Sequence, residues 1–174
     1  DMGVNRIGFG IVDDDVVKEA SLQEIIRRYF KTECEYKKGQ VDEETLTRMK
    51  LILDEVGLKA EDRVPVLAAR EYAEKVNARQ DGDNDQTVAV TALALEDGKI
   101  ITGRTSDIMV CGASALLNTM KYLANIPDEM PLISPNVLET ITSLKSNTLH
   151  SKNCALNIEE ILIALSISAV TNPM

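Results

Sequence analysis

Apolar and polar positions recur with two different periods along this chain. Over residues 6–12, Ile7, Phe9 and Ile11 fall on one side and Gly8 and Gly10 on the other, which predicts a short strand. From residue 13 the period lengthens. Asp13-Asp14-Asp15 supplies an N-cap and favourable negative charge at a helix start. Val16, Ala20, Ile25, Ile26, Tyr29 and Phe30 then form the inward face of a helix running to about Lys38 and stopped by Gly39. A second helix begins near Asp42, carries the stripe Leu46, Met49, Ile52, Leu53 and Val56, and ends at Gly57. Pro65 suits the first turn of a third, running to about Arg79. Residues 81–85 read as a polar loop.

The second half changes character. Residues 87–95 read as a strand, 96–99 as a tight turn and 100–105 as the return strand. Asp97-Gly98 predicts a two-residue type I′ turn, with Gly98 at positive φ. A helix of small residues opens at Gly112-Ala113-Ser114-Ala115, reaches about Ala124 and is closed by Ile126-Pro127. Ser134-Pro135 starts another, and Asn157 with Glu160 has capping-box spacing for the last helix, 158–170. That last helix is apolar nearly all round. It is expected to be covered by the domain core on one side and by another chain or domain on the other.

These elements predict an α+β fold, a mostly helical domain packed around a β-hairpin, with residues 6–12 as a candidate third strand. We read 1–174 as a single domain, with a mainly helical half over 1–80 and a hairpin plus three helices over 81–174. The chain starts at Asp1 and breaks off after an apolar helix, so it reads as a fragment of a longer protein.

Composition narrows the chemistry. Aromatic residues are 3% and tryptophan is absent, so the core must be aliphatic. The net charge of −9, from 19 basic and 28 acidic residues, repels phosphate backbones and anionic lipid. No nucleic-acid or membrane partner is expected. No apolar run approaches the roughly 20 residues that span a bilayer, and the first residues lack a signal-peptide pattern. The expected location is cytoplasmic. Cys34, Cys111 and Cys154 are odd in number and widely spaced, which fits a reducing compartment and small buried apolar residues.

Most catalytic signatures are missing. Asp81, Asp83 and Asp85 alternate like the start of a calcium loop, but Gln86 takes the glycine position and Ala92 the glutamate position. His150 and Cys154 alone do not make a zinc site, and no H-x-E or P-C-x-x-C accompanies the hairpin. His150 is the only histidine, and no serine stands in G-x-S-x-G. No metal and no cofactor is expected. The best binding candidate is the turn Thr105, Ser106 and Asp107 with the helix entry Gly112 and Ser114. A helix N-terminus offers free N–H donors to an anion, and Gly112 and Ala113 would let a ligand approach the backbone. Asn118, one turn beyond Ser114 on the same face, joins them. The blander reading is that Ser106 or Asp107 caps the helix and the small residues pack tightly; capping is the default use of such residues.

Six segments in order resemble a bacterial family, the domain-of-unknown-function family 1846. They are Asp1-Met2-Gly3-Val4-Asn5, residues 24–30 ending Tyr29-Phe30, and residues 98–107 ending Gly103-Arg104-Thr105-Ser106-Asp107. After them come Ala113-Ser114-Ala115-Leu116-Leu117-Asn118, Leu132-Ile133-Ser134-Pro135 and residues 160–166. The resemblance implies a longer protein, of which this chain looks like the C-terminal portion, and an N-terminal portion with a Gly-rich stretch like a phosphate-binding loop. No G-x-x-x-x-G-K-[ST] occurs here, so that nucleotide site carries over to no residue of this chain. Two function classes follow. One is a non-catalytic module that completes or oligomerises a larger nucleotide-binding-like protein, with its own N-terminal domain or a second copy as partner. The other is the substrate-side half of a composite enzyme site, in which Ser106, Asp107, Ser114 and Asn118 contact a small anion. A pocket at the turn lined by convergent polar groups would favour the second, and a flat apolar surface the first.

Overall fold

The fold is described from a computed structural model, for residues 13–78 and 87–171. The candidate strand 6–12, the acidic loop 81–85 and Arg79 lie outside the described residues. The chain divides into two compact units, Asp1–Val66 and Leu67–Met174.

In the first unit, α1 (Asp14–Lys37) packs against α2 (Glu43–Glu55). Their starts are as the acidic runs predict. The Asp13 carboxylate accepts from the Asp15 and Val16 N–H groups, and Asp42 accepts from Thr45 N–H at 2.8 Å. Their ends are set by Gly39 and Gly57, both at positive φ, which lets the next N–H turn back onto the last helical turn: Gln40 to Glu35 O and Leu58 to Leu53 O. Ile26 on α1 and Leu46 and Leu53 on α2 are the buried apolar side chains of the pair. The inward stripes are narrower than expected, because Val16, Ile52 and Val56 are exposed. A 3₁₀ turn, Ala60–Asp62, follows α2 and is tied to α1 where Gln23 Nε2 donates to Asp62 O at 3.0 Å. Helix α3 (Val64–Asn77) continues into the second unit.

The second unit is α+β and is built on one antiparallel hairpin, β1 (Val90–Ala94) with β2 (Ile100–Arg104). The turn departs from the two-residue expectation. Gly98 N–H donates to Leu95 O and Leu95 N–H to Lys99 O, so the loop holds Glu96, Asp97 and Gly98. Gly98 alone of the three has positive φ (81°). A right-handed turn followed by one left-handed residue matches the strand twist as a type I′ turn does. The Asp97 carboxylate favours it by accepting from Lys99 N–H at 2.9 Å.

Helix α4 (Cys111–Leu123) lies on β2. Gly103 allows this, since a Cβ there would meet the Ala115 backbone nitrogen and, at 2.6 Å, the Cys111 carbonyl. Asn125 ends α4 at φ 53° in the glycine's usual role. Helix α5 (Pro135–Ser143) widens into a π-helical turn, Leu144–Thr148, and the chain returns to the hairpin side through a short parallel bridge between Met109 and Leu156. Helix α6 (Ile158–Thr171) starts with the predicted capping box: Glu160 N–H donates to Asn157 Oδ1 and Asn157 N–H to Glu160 Oε2. The aliphatic core joins Ala113, Ile133, Leu156, Ile161 and Ala164.

Only one side of α6 enters that core. Ile163 is 58% and Val170 83% exposed, with Ile158, Leu162 and Ile167 beside them.

Candidate functional site

The candidate turn is held by its own polar side chains. Thr105 N–H continues the ladder to Ala89 O, and Ser106 N–H closes the loop on Met109 O. Ser106 Oγ accepts from the Ile108 and Met109 N–H groups at 3.3 Å each. The helix cap expected of Ser106 or Asp107 comes instead from Thr105, whose Oγ1 accepts from Cys111 N–H at 3.0 Å. The reason is the loop path: Ser106 Oγ is taken up by the Ile108 and Met109 N–H groups, and four residues separate it from Cys111.

The candidate residues part into two cavities. Ser106, Ser114 and Asn118 line one of about 370 Å³, with Arg104 and Lys121 at its polar margin and Leu117, Ile133 and Leu138 on its apolar wall. Thr105 and Asp107 line another of about 640 Å³, which Ser106 also borders, opposite Lys152 and Asn153. Gly112 borders neither. A Cβ there would come within 3.1 Å of Ile158 Cδ1, so its missing side chain serves helix packing. Arg104 and Lys121 were not singled out from the sequence. Lys121 had a legible signal, because Ser114, Asn118 and Lys121 follow the i, i+4, i+7 rhythm of one helix face.

Two of the polar side chains lining the smaller cavity have structural partners. Asn118 Nδ2 donates to Thr102 O at 2.9 Å, and Lys121 Nζ donates to Asp128 O at 2.6 Å. The same two residues border a third cavity of about 660 Å³ along Lys99, Ile100 and Tyr122. There the Tyr122 hydroxyl donates to Asp97 at 2.8 Å, and the Lys99 ammonium stands 5.8 Å from the Tyr122 ring centre. The Lys99 N–H and then the Tyr122 hydroxyl hold the Asp97 carboxyl below its ordinary value, while the Asp97 bond pushes the Tyr122 hydroxyl up.

Other reactive side chains stand apart. Lys145 is buried on the π-helical turn and donates to Ala155 O and Glu160 Oε2, each at 2.7 Å. The three cysteines are free; Cys34 is exposed, against the buried role expected of it, and Cys111 and Cys154 are half-buried. Among the described residues, no three His, Cys, Asp or Glu side chains cluster to hold a metal, and no helix is long and apolar enough to cross a membrane.

Comparison with known proteins agrees with the sequence resemblance and refines it. Residues 61–174 match the family described as "Domain of unknown function DUF1846, C-terminal", and residues 1–57 match its N-terminal counterpart. The chain therefore takes in part of the N-terminal region as well as the C-terminal one. A UPF0371 protein of Clostridium tetani is 61% identical over 173 residues, covering 99% of this chain and 34% of that protein. UPF0371 proteins of Clostridium botulinum (strain Eklund 17B) and Clostridioides difficile are 60% and 57% identical over the same shares. The chain thus spans about a third of the length of the relatives it matches. Matched by the two family models over nearly all of its residues, the chain belongs to the DUF1846 family.

Proposed function

We propose that this chain is a non-catalytic module that completes a longer bacterial protein by docking onto its remainder. The carrying observation is the outer face of α6, where Ile158, Leu162, Ile163, Ile167 and Val170 are all exposed. Covering one such side chain contributes about 1.5–3 kcal/mol, so an uncovered row is a costly surface for a protein of this size. The relatives are about three times longer than the chain, which supplies a partner within the same polypeptide. The test is Ile163→Asp in the full-length protein, with Glu159→Gln on the same helix as control. The aspartate is expected to lower the melting temperature or release the module to limited proteolysis, and the control to do neither. An unchanged melt and cleavage pattern for Ile163→Asp would overturn the reading. Melting that rises with protein concentration in the parent protein, and no longer does so in the variant, would assign the face to a second copy instead.

A second reading is favoured by the smaller cavity. Ser106, Ser114 and Asn118 line it together with Arg104 and Lys121, beside an apolar wall. Such a surface suits a small anion with an apolar body, bound as the substrate-side half of a composite site. Calorimetry on the full-length protein with inorganic phosphate and short-chain carboxylates tests it. Binding at roughly millimolar or tighter that Lys121→Met abolishes would support the half-site; no heat with any of them would remove it.

A further inference from the structure

The two outer edges of the hairpin are finished differently. In the register Val90↔Arg104 to Ala94↔Ile100, the Thr105 N–H bond to Ala89 O makes residues 89, 91 and 93 the ones that bond across the ladder. The N–H and C=O groups of Val90, Ala92 and Ala94 therefore point outward from β1, and those of Ile100, Thr102 and Arg104 outward from β2. The β2 edge is blocked at its centre, where Asn118 Nδ2 donates to Thr102 O at 2.9 Å. Among the described residues the β1 edge is met at its start only. Val88 N–H donates to Asn77 Oδ1 at 2.8 Å and Asn77 Nδ2 donates to Val88 O at 3.5 Å, so one side-chain amide stands where a strand partner would. Beyond it, the outward groups of Val90, Ala92 and Ala94 meet no backbone partner among the described residues.

We infer that the β1 edge at Val90, Ala92 and Ala94 receives an extended strand from the part of the longer protein outside residues 1–174. This rests on the module reading above and names where and how the remainder engages. A row of donors and acceptors in the plane of a sheet is matched by another strand's backbone and not by a helix face. The sheet face opposite α4 agrees. Gly103 and Thr91 face α4, with Thr91 Oγ1 3.5 Å from Cys111 Sγ. By strand alternation Val90, Ala92, Ala94 and Ile100 lie on the other face with Thr102 and Arg104, and a widened sheet would share the aliphatic part of that surface along β1. The edge carries no lysine, proline or bulge of the kind that blunts free edges. The two thirds of the relatives' length that the chain does not span provides the segment.

Native-state amide exchange on the full-length protein reads this directly. Leu93 N–H bonds within the hairpin and serves as internal reference. With a strand added, Ala92 and Ala94 amides exchange within about tenfold of Leu93; an open edge leaves them faster by about 100-fold or more, which overturns the inference. A photo-cross-linking residue at Ala94 identifies the occupant. An adduct outside residues 1–174 of the same polypeptide is the expected result, and an adduct inside them or between two copies counts against it. Side-chain footprinting of Ile163 and Ile167 in the same sample keeps the two readings apart. Protected isoleucines with fast Ala92 and Ala94 amides sink the strand alone; unprotected isoleucines sink the module reading whatever β1 does.

Discussion

Gly103 and Ala115 touch backbone to backbone: a Cβ on the glycine would fall against the Ala115 nitrogen and within 2.8 Å of its Cα. No side chain can give way there, so Gly103→Ala must push α4 off β2 or break the ladder. Overpacking of this kind costs about 1–3 kcal/mol, equivalent to roughly 2–4 °C of melting temperature per kcal/mol in a chain this long. Gly112→Ala is the informative partner. Its Cβ would meet the flexible end of Ile158 at 3.1 Å, and the expected loss is below that of Gly103→Ala. Thermal unfolding of the two variants checks the order, and equal melts would refute the direct strand–helix contact.

These two glycines mark how far the sequence was legible. A glycine inside a strand signals close approach, but nothing in residues 100–105 says what approaches. Gly112 offers room for a ligand by sequence but faces Ile158, because the path of a distant helix decides which side of a glycine is occupied. Local signals did better. Asp13 and the Asn157–Glu160 pair act within one helical turn and cap as predicted, and Asp42, near which the sequence starts the second helix, caps it. The cap of α4 failed that test because Thr105 reaches Cys111 across a folded loop. Of the candidate site, Ser106, Ser114 and Asn118 were legible and share a cavity, whereas Arg104 enters it only through the strand's placement. Val16, Ile52 and Val56 follow helical periodicity yet are exposed, since periodicity shows that a face is apolar and not what covers it.

Gly98 has φ 81° with nothing within 4 Å of the position its Cβ would take. The cost of a side chain there is conformational alone. Gly98→Val should lose about 1–2 kcal/mol, and Gly98→Asn clearly less, because asparagine tolerates the left-handed region. Chemical denaturation separates them. If valine and asparagine variants unfold at the same denaturant concentration, the strain argument fails.

Glu160 gives the stability curve a defined acid limb. Burial pushes its carboxyl up, but the Lys145 ammonium and the Asn157 N–H outweigh this and hold it below its ordinary value of 4.5. The unfolded chain therefore binds the proton first as pH falls. The contribution is complete above the ordinary carboxylate value and is lost as pH drops through the lowered folded one. Glu160→Gln removes the charge facing Lys145, whose side chain is only 11% exposed. The expected loss is about 2 kcal/mol at neutral pH, shrinking as the parent protein is acidified below about pH 4. Unfolding free energies measured in parallel from neutral to acid pH check it, and a loss constant across that range would contradict the pairing.

Asn118 holds two positions at once: it blocks the carbonyl of Thr102 on the β2 edge and lines the cavity beside Ser114. Asn118→Ala removes the donor but leaves the Thr102 carbonyl to water, because residue 118 is exposed. Its expected cost is about 0.5–1.5 kcal/mol, the net worth of one hydrogen bond. Asn118→Asp is worse at neutral pH. A carboxylate has no donor for the carbonyl and places negative charge against it. Acid removes this extra penalty, since the protonated acid regains an O–H donor, and the two variants should converge below about pH 4. Alanine also uncovers the β2 edge, so its association on concentration should exceed that of the charged aspartate variant at neutral pH. Thermal unfolding at neutral and acid pH, with light scattering on the same samples, measures both effects. An aspartate variant that melts with the parent protein at neutral pH would show that Asn118 does not hold Thr102, and the β2 edge would then be as open as the β1 edge.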